Sequence, residues 1–168
     1  MCVVGWSDAG KTTLLERLVP ALHARGLRVA VLKHSSHAHP LHPEGSDTQR
    51  LQAAGALATG LATPQGLQLT LPGDAGSLLP QLLARAGGLL DLVLVEGWKA
   101  GPYPKLEVWR EGRAPPLACG REDIGLLVHA GVPPADIPAG LPTLALTELQ
   151  KIAAWVLEAA AGSPPRHG

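Results

Sequence analysis

Near its amino end the chain reads Gly5-Trp6-Ser7-Asp8-Ala9-Gly10-Lys11-Thr12. This stretch fits the phosphate-binding pattern G-x-x-x-x-G-K-[ST], and it lies between a short apolar strand at residues 2–4 and an amphipathic helix. Its glycines let the backbone turn tightly and bring N–H groups against phosphate oxygens. Lys11 is expected to reach the β- and γ-phosphates, and the Thr12 hydroxyl to ligate Mg²⁺. The stretch therefore predicts a P-loop that binds a nucleoside triphosphate.

Outward from this stretch, strand and helix patterns alternate along the chain. Leucines at helical spacing predict a helix over residues 12–25, and the apolar run at residues 29–32 is typical of a parallel strand buried on both faces. The remaining elements are helices over 46–54, 77–85 and 147–161, the first and last opened by capping boxes, and strands over 57–63, 67–71, 89–95, 105–109, 124–128 and 143–146. The alternation predicts an α/β fold, a mostly parallel sheet with helices on both faces, of the P-loop NTPase type.

Length and composition predict one nucleotide-binding domain over residues 1–162, followed by a short disordered tail at residues 163–168. Lys plus Arg balance Asp plus Glu at 14 each, so the chain has no global positive field to attract nucleic acid. Apolar runs stop well short of the length of about 18 residues that a membrane span needs. We therefore expect a cytoplasmic protein with neither a nucleic-acid nor a membrane partner. Cys2 and Cys119 are expected to be two reduced, buried thiols.

Charged residues at predicted element ends supply candidates for the site. Glu96 follows the apolar strand at residues 89–95 and is placed to hold Mg²⁺, directly or through water. Lys33 ends a strand that we expect to neighbour the P-loop strand, so its side chain should enter the same crevice. Asp47, near a helix start, is either a favourable charge against the helix dipole or a metal ligand.

The predicted nucleotide-binding residues are Gly5, Ser7, Asp8, Ala9, Gly10, Lys11, Thr12, Thr13 and Lys33. The predicted metal ligands are Thr12, Asp47 and Glu96.

One loop is rich in histidine, with His34, His37, His39 and His42. Imidazoles so close in sequence could form a metal site, but prolines interrupt the segment and the spacing is not that of usual zinc ligands. A flexible polar loop beside the nucleotide is the preferred interpretation, with metal storage or transfer as the alternative.

Five blocks in order carry a resemblance to a known family. They are residues 5–15, 25–34, 45–56, 91–99 (Asp-Leu-Val-Leu-Val-Glu-Gly-Trp-Lys) and 104–110 (Pro-Lys-Leu-Glu-Val-Trp-Arg). Together they resemble the molybdopterin-guanine dinucleotide biosynthesis protein B (MobB) family. The resemblance implies a GTP-binding accessory protein of molybdenum-cofactor maturation, with weak GTPase activity and a homodimeric assembly. It also implies interaction with the guanylyltransferase that attaches GMP to molybdopterin and with other molybdenum-cofactor proteins.

The family belongs to the P-loop branch of dethiobiotin synthetase and the metallochaperone GTPases. In that branch two acidic residues help bind Mg²⁺, and the resemblance maps them to Asp47 and Glu96. GTP and Mg²⁺ are thus the implied ligands.

A Ras-like switch is excluded, because the guanine-reading motif N-K-x-D cannot occur in a chain without asparagine. No Gln or Arg can be assigned to positioning water, which is consistent with slow hydrolysis. Two alternatives remain open: an ATP-dependent kinase or ligase of the dethiobiotin-synthetase type, and a metallochaperone GTPase.

Overall fold

The computed structural model describes residues 1–37, 39–85, 88–112 and 114–162. The predicted disordered tail at residues 163–168 lies outside them. The strands are β1 (Cys2–Val4), β2 (Val29–Lys33), β3 (Thr59–Thr63), β4 (Gly66–Thr70), β5 (Leu92–Glu96), β6 (Lys105–Arg110), β7 (Ile124–Ala130) and β8 (Thr143–Ala145). The helices are α1 (Lys11–His23), α2 (Asp47–Ala53), α3 (Ala75–Arg85) and α4 (Leu149–Ala161).

The chain divides into two compact units. The first consists of Met1–His34 and Ala86–Gly168, and the second is the segment Ser35–Arg85 between them. The expected single domain over residues 1–162 stays a prediction. In the described parts of the chain, no helix is long and apolar enough to cross a membrane.

The first unit contains a six-stranded sheet in the order β2-β5-β1-β6-β7-β8, and each neighbouring pair is parallel. The predicted α/β class with a mostly parallel sheet is therefore confirmed. β1 lies between β5 and β6, so the glycine-rich loop that follows it leaves from the middle of the sheet. Loops at the carboxyl ends of such strands are where ligands bind in open α/β folds.

One neighbour relation was predicted wrongly. β2 does not pair with β1, because β5 lies between them and pairs with both. The crossover from β1 through α1 leaves a position vacant in the sheet, and β5 fills it later in the chain. Lys33 is consequently paired with Glu96 of β5 in the sheet register, and β5 separates it from β1.

The hydrophobic core lies where α1 and α4 pack on the sheet. The buried residues of α1 are Leu14, Leu15, Leu18 and Leu22. They follow the predicted helical spacing, and Ile152 and Val156 of α4 are equally buried. Each buried leucine stabilises the fold by about 1.5–3 kcal/mol relative to an exposed one. The core thereby fixes α1, whose first residue is Lys11, against the sheet.

β6 is confirmed as a strand. Its alternation of polar and apolar residues did not indicate that it lies inside the sheet, between β1 and β7. Five of its six residues are buried, including the charged Lys105 and Glu107. Lys105 donates to the carbonyl oxygen of Gly101 at 2.6 Å and forms an ion pair with Asp123 at 2.8 Å. A buried charge is tolerated only with such partners.

The two predicted capping boxes have different outcomes. Ser46 is the N-cap of α2 and its hydroxyl accepts the backbone N–H of Gln49 at 3.3 Å, as predicted. The box at Thr147 is wrong, because α4 is preceded by Glu148, which makes no side-chain cap. The Glu148 carboxylate instead accepts the N–H of Ala145 at 2.8 Å and thus ties the helix start to β8.

The second unit contains α2, α3 and the strands predicted over 57–63 and 67–71, which are β3 and β4 and pair antiparallel as a hairpin. Of the two cysteines, Cys2 is buried as expected, whereas Cys119 is exposed. Cys119 lies in a 3₁₀ turn, Leu117–Gly120, where its Sγ donates to the carbonyl oxygen of Asp136 at 2.9 Å. The buried-thiol prediction is therefore wrong for Cys119.

Candidate functional site

The loop at residues 5–12, called the 5–12 loop below, turns where its glycines allow it. Gly5 has a φ of +143°, and a Cβ at this position would collide with the backbone carbonyl of Val108 in β6. Gly10 has a φ of +98° and immediately precedes α1. Asp8 also takes a positive φ, 58°. The loop is therefore packed against the neighbouring strand, and no larger residue could replace Gly5 without moving the backbone.

Lys11 folds back over this loop. Its Nζ donates to the carbonyl oxygen of Trp6 at 2.7 Å and to that of Gly5 at 3.3 Å. Burial lowers the pKa of Lys11, with nearby Lys99 and Lys33 adding to the effect, while Glu96 opposes it. Within the described residues this ammonium forms no ion pair: its hydrogen-bond acceptors are the two carbonyl oxygens, and the carboxylates of Glu96 and Asp8 act on it from a greater distance. Such a group suits an incoming anion.

Thr12 and Glu96 meet at the base of the loop. The Thr12 hydroxyl is 3.1 Å from Oε1 and 3.2 Å from Oε2 of Glu96. Glu96 is the last residue of β5, and 8% of its surface is exposed to solvent. A hydroxyl and a carboxylate are both hard oxygen donors of the kind Mg²⁺ prefers. Their juxtaposition agrees with two of the three predicted metal ligands, although metal binding itself stays a prediction.

The other predicted nucleotide-binding residues surround this pair. Lys33 is exposed at the end of β2, next to Glu96. Ser7, Asp8 and Thr13 are exposed on and beside the loop, whereas Ala9 is buried under it. Contact of these side chains with nucleotide remains a prediction.

Asp47 belongs to the second unit. It is the first residue of α2, and its exposed carboxylate accepts a hydrogen bond from Arg50 at 3.4 Å. This position fits the favourable charge at a helix start that was one of its two interpretations. Its role as a metal ligand stays a prediction.

The histidines of the 34–42 segment have individual environments. His42 is buried, with its Nε2 at 2.9 Å from the Thr59 hydroxyl, so it supports the hairpin rather than a flexible loop. His34 stacks on Trp98 with ring centroids 5.4 Å apart. Across the described ranges of the chain, no group of three or more His, Cys, Asp or Glu residues is placed to hold a metal ion.

Three residues near the loop were not among the predicted site residues. Lys99 places its Nζ 4.4 Å from the ring centroid of Trp6, whose Nε1 donates to the carbonyl oxygen of Pro115 at 2.8 Å. Glu107 is fully buried, and burial raises the pKa of its carboxyl. Two backbone N–H groups oppose that rise, those of Leu117 at 2.6 Å and Ala118 at 2.9 Å.

The hydrogen bond from Trp6 to Pro115 ties the segment after β6 to the 5–12 loop, and those to Glu107 tie the same segment to β6 itself. The sequence could have pointed to Lys99 as a site residue, because it follows shortly after Glu96, the end of a predicted strand. Nothing in the alternating pattern of β6 distinguishes Glu107 from a solvent-facing residue.

A groove of about 710 Å³ lies beside the start of β7. Its lining includes Ile124 and Gly125, where β7 begins, together with residues of the 138–142 segment. In a parallel sheet the strand beginnings lie away from the strand ends, so this groove is separate from the 5–12 loop.

Comparisons with known proteins agree on one family. Residues 1–129 match the family described as "Molybdopterin guanine dinucleotide synthesis protein B" (MobB). A molybdopterin-guanine dinucleotide biosynthesis adapter protein of Haemophilus influenzae is 41% identical over 118 residues, which cover 68% of this chain and 65% of that protein, just under two thirds of its length. The adapter protein of the same description from Escherichia coli is 32% identical over 163 residues, covering 94% of this chain and 91% of that one.

A solved structure supports the same grouping. The crystal structure of Bacillus subtilis MobB superimposes with a TM-score of 0.72 at 28% identity, covering 96% of this chain and 98% of that chain.

Proposed function

Since this chain belongs to the MobB family, we propose that it is an adapter protein in molybdopterin-guanine dinucleotide biosynthesis that binds GTP with Mg²⁺ and hydrolyses it slowly. The biosynthetic role is supported by the descriptions of the relatives. The nucleotide chemistry is argued from the residues at the 5–12 loop.

The observation that carries the nucleotide proposal is the hydroxyl of Thr12 shared between both carboxylate oxygens of Glu96, at 3.1 and 3.2 Å, beside the ammonium of Lys11. A triphosphate needs cations along its phosphates and oxygen ligands for its metal. Lys11 and Lys33 are the cations proposed to bind the phosphates, with Thr12 and Glu96 as the ligands on the metal side. Bound Mg²⁺ would neutralise phosphate charge.

The proposed preference for guanine and the proposed slow hydrolysis are supported by different observations. The preference for GTP rests on family membership. Slow turnover follows because no group is assigned to orient the attacking water, and such groups are worth orders of magnitude in rate. The role of this protein is then to form a complex in the presence of nucleotide, and not to release a metabolite.

The partners follow from the same proposal. They are the guanylyltransferase that attaches GMP to molybdopterin and other molybdenum-cofactor proteins, with the chain acting as a homodimer. Size-exclusion chromatography of the purified protein with a guanylyltransferase, with and without GTP, tests this part. Elution of the two proteins as separate species under both conditions would contradict it.

A nucleotide titration tests the site directly. Calorimetry with GTP and ATP, each with Mg²⁺ and with EDTA, should show the tightest binding for GTP with Mg²⁺. Turnover without a partner should stay below about one per minute, as in incomplete GTPase sites. Equal or tighter ATP binding, or turnover of many per second on addition of a small acceptor, would favour the ATP-dependent kinase or ligase instead.

A further inference from the structure

Lys99 is a cation beside the 5–12 loop that neither the sequence motif nor the family comparison assigns a role. Its ammonium lies 4.4 Å from the ring centroid of Trp6, the second residue of the loop. Lys11 contacts the backbone of the same residue, donating to the carbonyl oxygen of Trp6 at 2.7 Å. The two ammonium groups thus contact one residue of the loop, one at its ring and the other at its carbonyl oxygen.

The backbone around Lys99 is held firmly. Its N–H donates to the carbonyl oxygen of Gly97 at 2.9 Å, and its own carbonyl accepts from Arg121 at 2.8 Å. The preceding Trp98 is 6% exposed and stacks on His34. A lysine on a fixed backbone samples only the arc its side chain can reach, so its ammonium is confined to the neighbourhood of the loop.

The charged groups at this place are the three ammonium groups of Lys11, Lys33 and Lys99 and the two carboxylates of Glu96 and Asp8, which leaves an excess of one positive charge. Lys99 and Lys33 both contribute to lowering the pKa of Lys11, so the three ammonium groups feel one another. Within the described parts of the chain, Lys99 forms no ion pair, and the indole face of Trp6 is its contact. The two carboxylates offset part of the repulsion among the three lysines, and a bound anion would offset the rest.

We propose that Lys99 is a phosphate-contacting residue that rests over Trp6 when no anion is bound and leaves the ring to bind the triphosphate. The proposal deepens the proposed GTP site and rests on it for the identity of the nucleotide. The exchange is favourable because a cation over a partly exposed ring is weakly held, whereas phosphate oxygens offer full opposite charge and hydrogen bonds.

Affinity measurements with two probes test the contact. Lys99→Ala should lower the affinity for GTP and for inorganic tripolyphosphate by roughly tenfold, the loss expected for one charge-assisted contact. Affinity for GMP should change far less, and Lys99→Arg should retain most of the wild-type affinity. Lys151→Ala, which removes an exposed lysine of α4, is the matched control. Wild-type affinity of Lys99→Ala for tripolyphosphate would overturn the proposal.

Tryptophan emission tests the movement. Tripolyphosphate does not absorb where tryptophan does, so titration of the wild-type protein should change the emission as Lys99 leaves Trp6. The change should be lost in Trp6→Phe and in Lys99→Ala. The same change in Trp6→Phe as in wild type would show that the lysine does not leave this ring.

The phosphate contact of Lys99 and the identity of the nucleotide can be refuted separately. Tripolyphosphate binding that depends on Lys99, without preferential GTP binding, would overturn the proposed nucleotide and leave the phosphate contact intact. GTP binding that ignores Lys99 would do the reverse, and binding of neither probe would refute both.

Discussion

Replacing Glu96 by glutamine should affect nucleotide binding in opposite directions according to whether magnesium is present. The amide has the same size, and its oxygen can still accept the hydrogen bond that Thr12 now gives to the carboxylate at 3.1 Å. Because the remaining contacts are kept, the variant should fold. What changes is one negative charge at a position that is 8% exposed and therefore poorly screened by solvent.

The size of each effect follows from that charge. With Mg²⁺, losing a carboxylate that binds the metal, directly or through water, removes a charge-assisted interaction of about 1.5–3 kcal/mol. That corresponds to roughly ten- to a hundredfold weaker binding. Without the metal, the carboxylate and a phosphate repel each other by at most about 4 kcal/mol at 4 Å in a medium of effective dielectric 20. Removing it should leave binding unchanged or improve it.

The assay is calorimetric titration with GTP at low ionic strength, once with Mg²⁺ and once with EDTA. Asp47→Asn is measured in parallel, since Asp47 is the other predicted carboxylate ligand. Glu158→Gln, an exposed residue of α4, serves as the control for loss of a charge. If Glu96→Gln loses the same factor in both conditions, the carboxylate acts on the fold or on the base, and the assignment of a metal ligand is refuted.

Three further outcomes are expected. Lys11→Ala should weaken GTP binding by roughly ten- to a hundredfold with a native circular dichroism spectrum, and unchanged affinity would contradict the site. Burial lowers the pKa of Lys11 and a bound anion would raise it, so between the lowered pKa of the free protein and the higher pKa in the complex GTP binding should take up protons and weaken as pH rises. Calorimetry in buffers of different ionisation enthalpy measures this uptake, and none should be seen in Lys11→Ala. The pKa of Glu107 is raised above 4.5, so its stabilising contribution is complete below that pH and is lost as the pH rises through the folded-state pKa. Urea unfolding of Glu107→Gln should lack this dependence; an identical pH profile would argue against the raised pKa.

Much of the first unit could be predicted from the sequence, because local patterns decide it. The leucines of α1 follow a helical period, and the glycine-rich stretch between an apolar run and that helix has one common structural meaning. The ends of β1 and β5 then bring Thr12 and Glu96 together, since both strands are parallel neighbours. The helix and the glycine-rich loop needed no knowledge of the remaining chain, whereas the pairing of β1 with β5 depends on the strand order.

The wrong predictions concern contacts between segments that are distant in the sequence. The order of strands decides that β6 is central, and only then do Lys105 and Glu107 become buried and require partners. The same order places β5 between β1 and β2, which the strand pattern does not reveal. The sequence at Thr147 predicted a capping box, but α4 begins after Glu148 instead. The carboxylate of Glu148 accepts the N–H of Ala145 and so joins the helix start to β8. The exposure of Cys119 likewise depends on a surface turn without a periodic signature.

The central place of β1 has a consequence for how the protein is made. Cys2 pairs with Val95 on one side and with Lys105 on the other, so β1 can find its neighbours only after these much later residues have been synthesised. Sequence-distant pairings of this kind slow folding. The backbone that supports Gly5 belongs to Val108, so the loop is supported only when β6 exists. A nascent chain interrupted before residue 105 would carry the whole glycine-rich motif and still lack the strand against which that motif takes its shape.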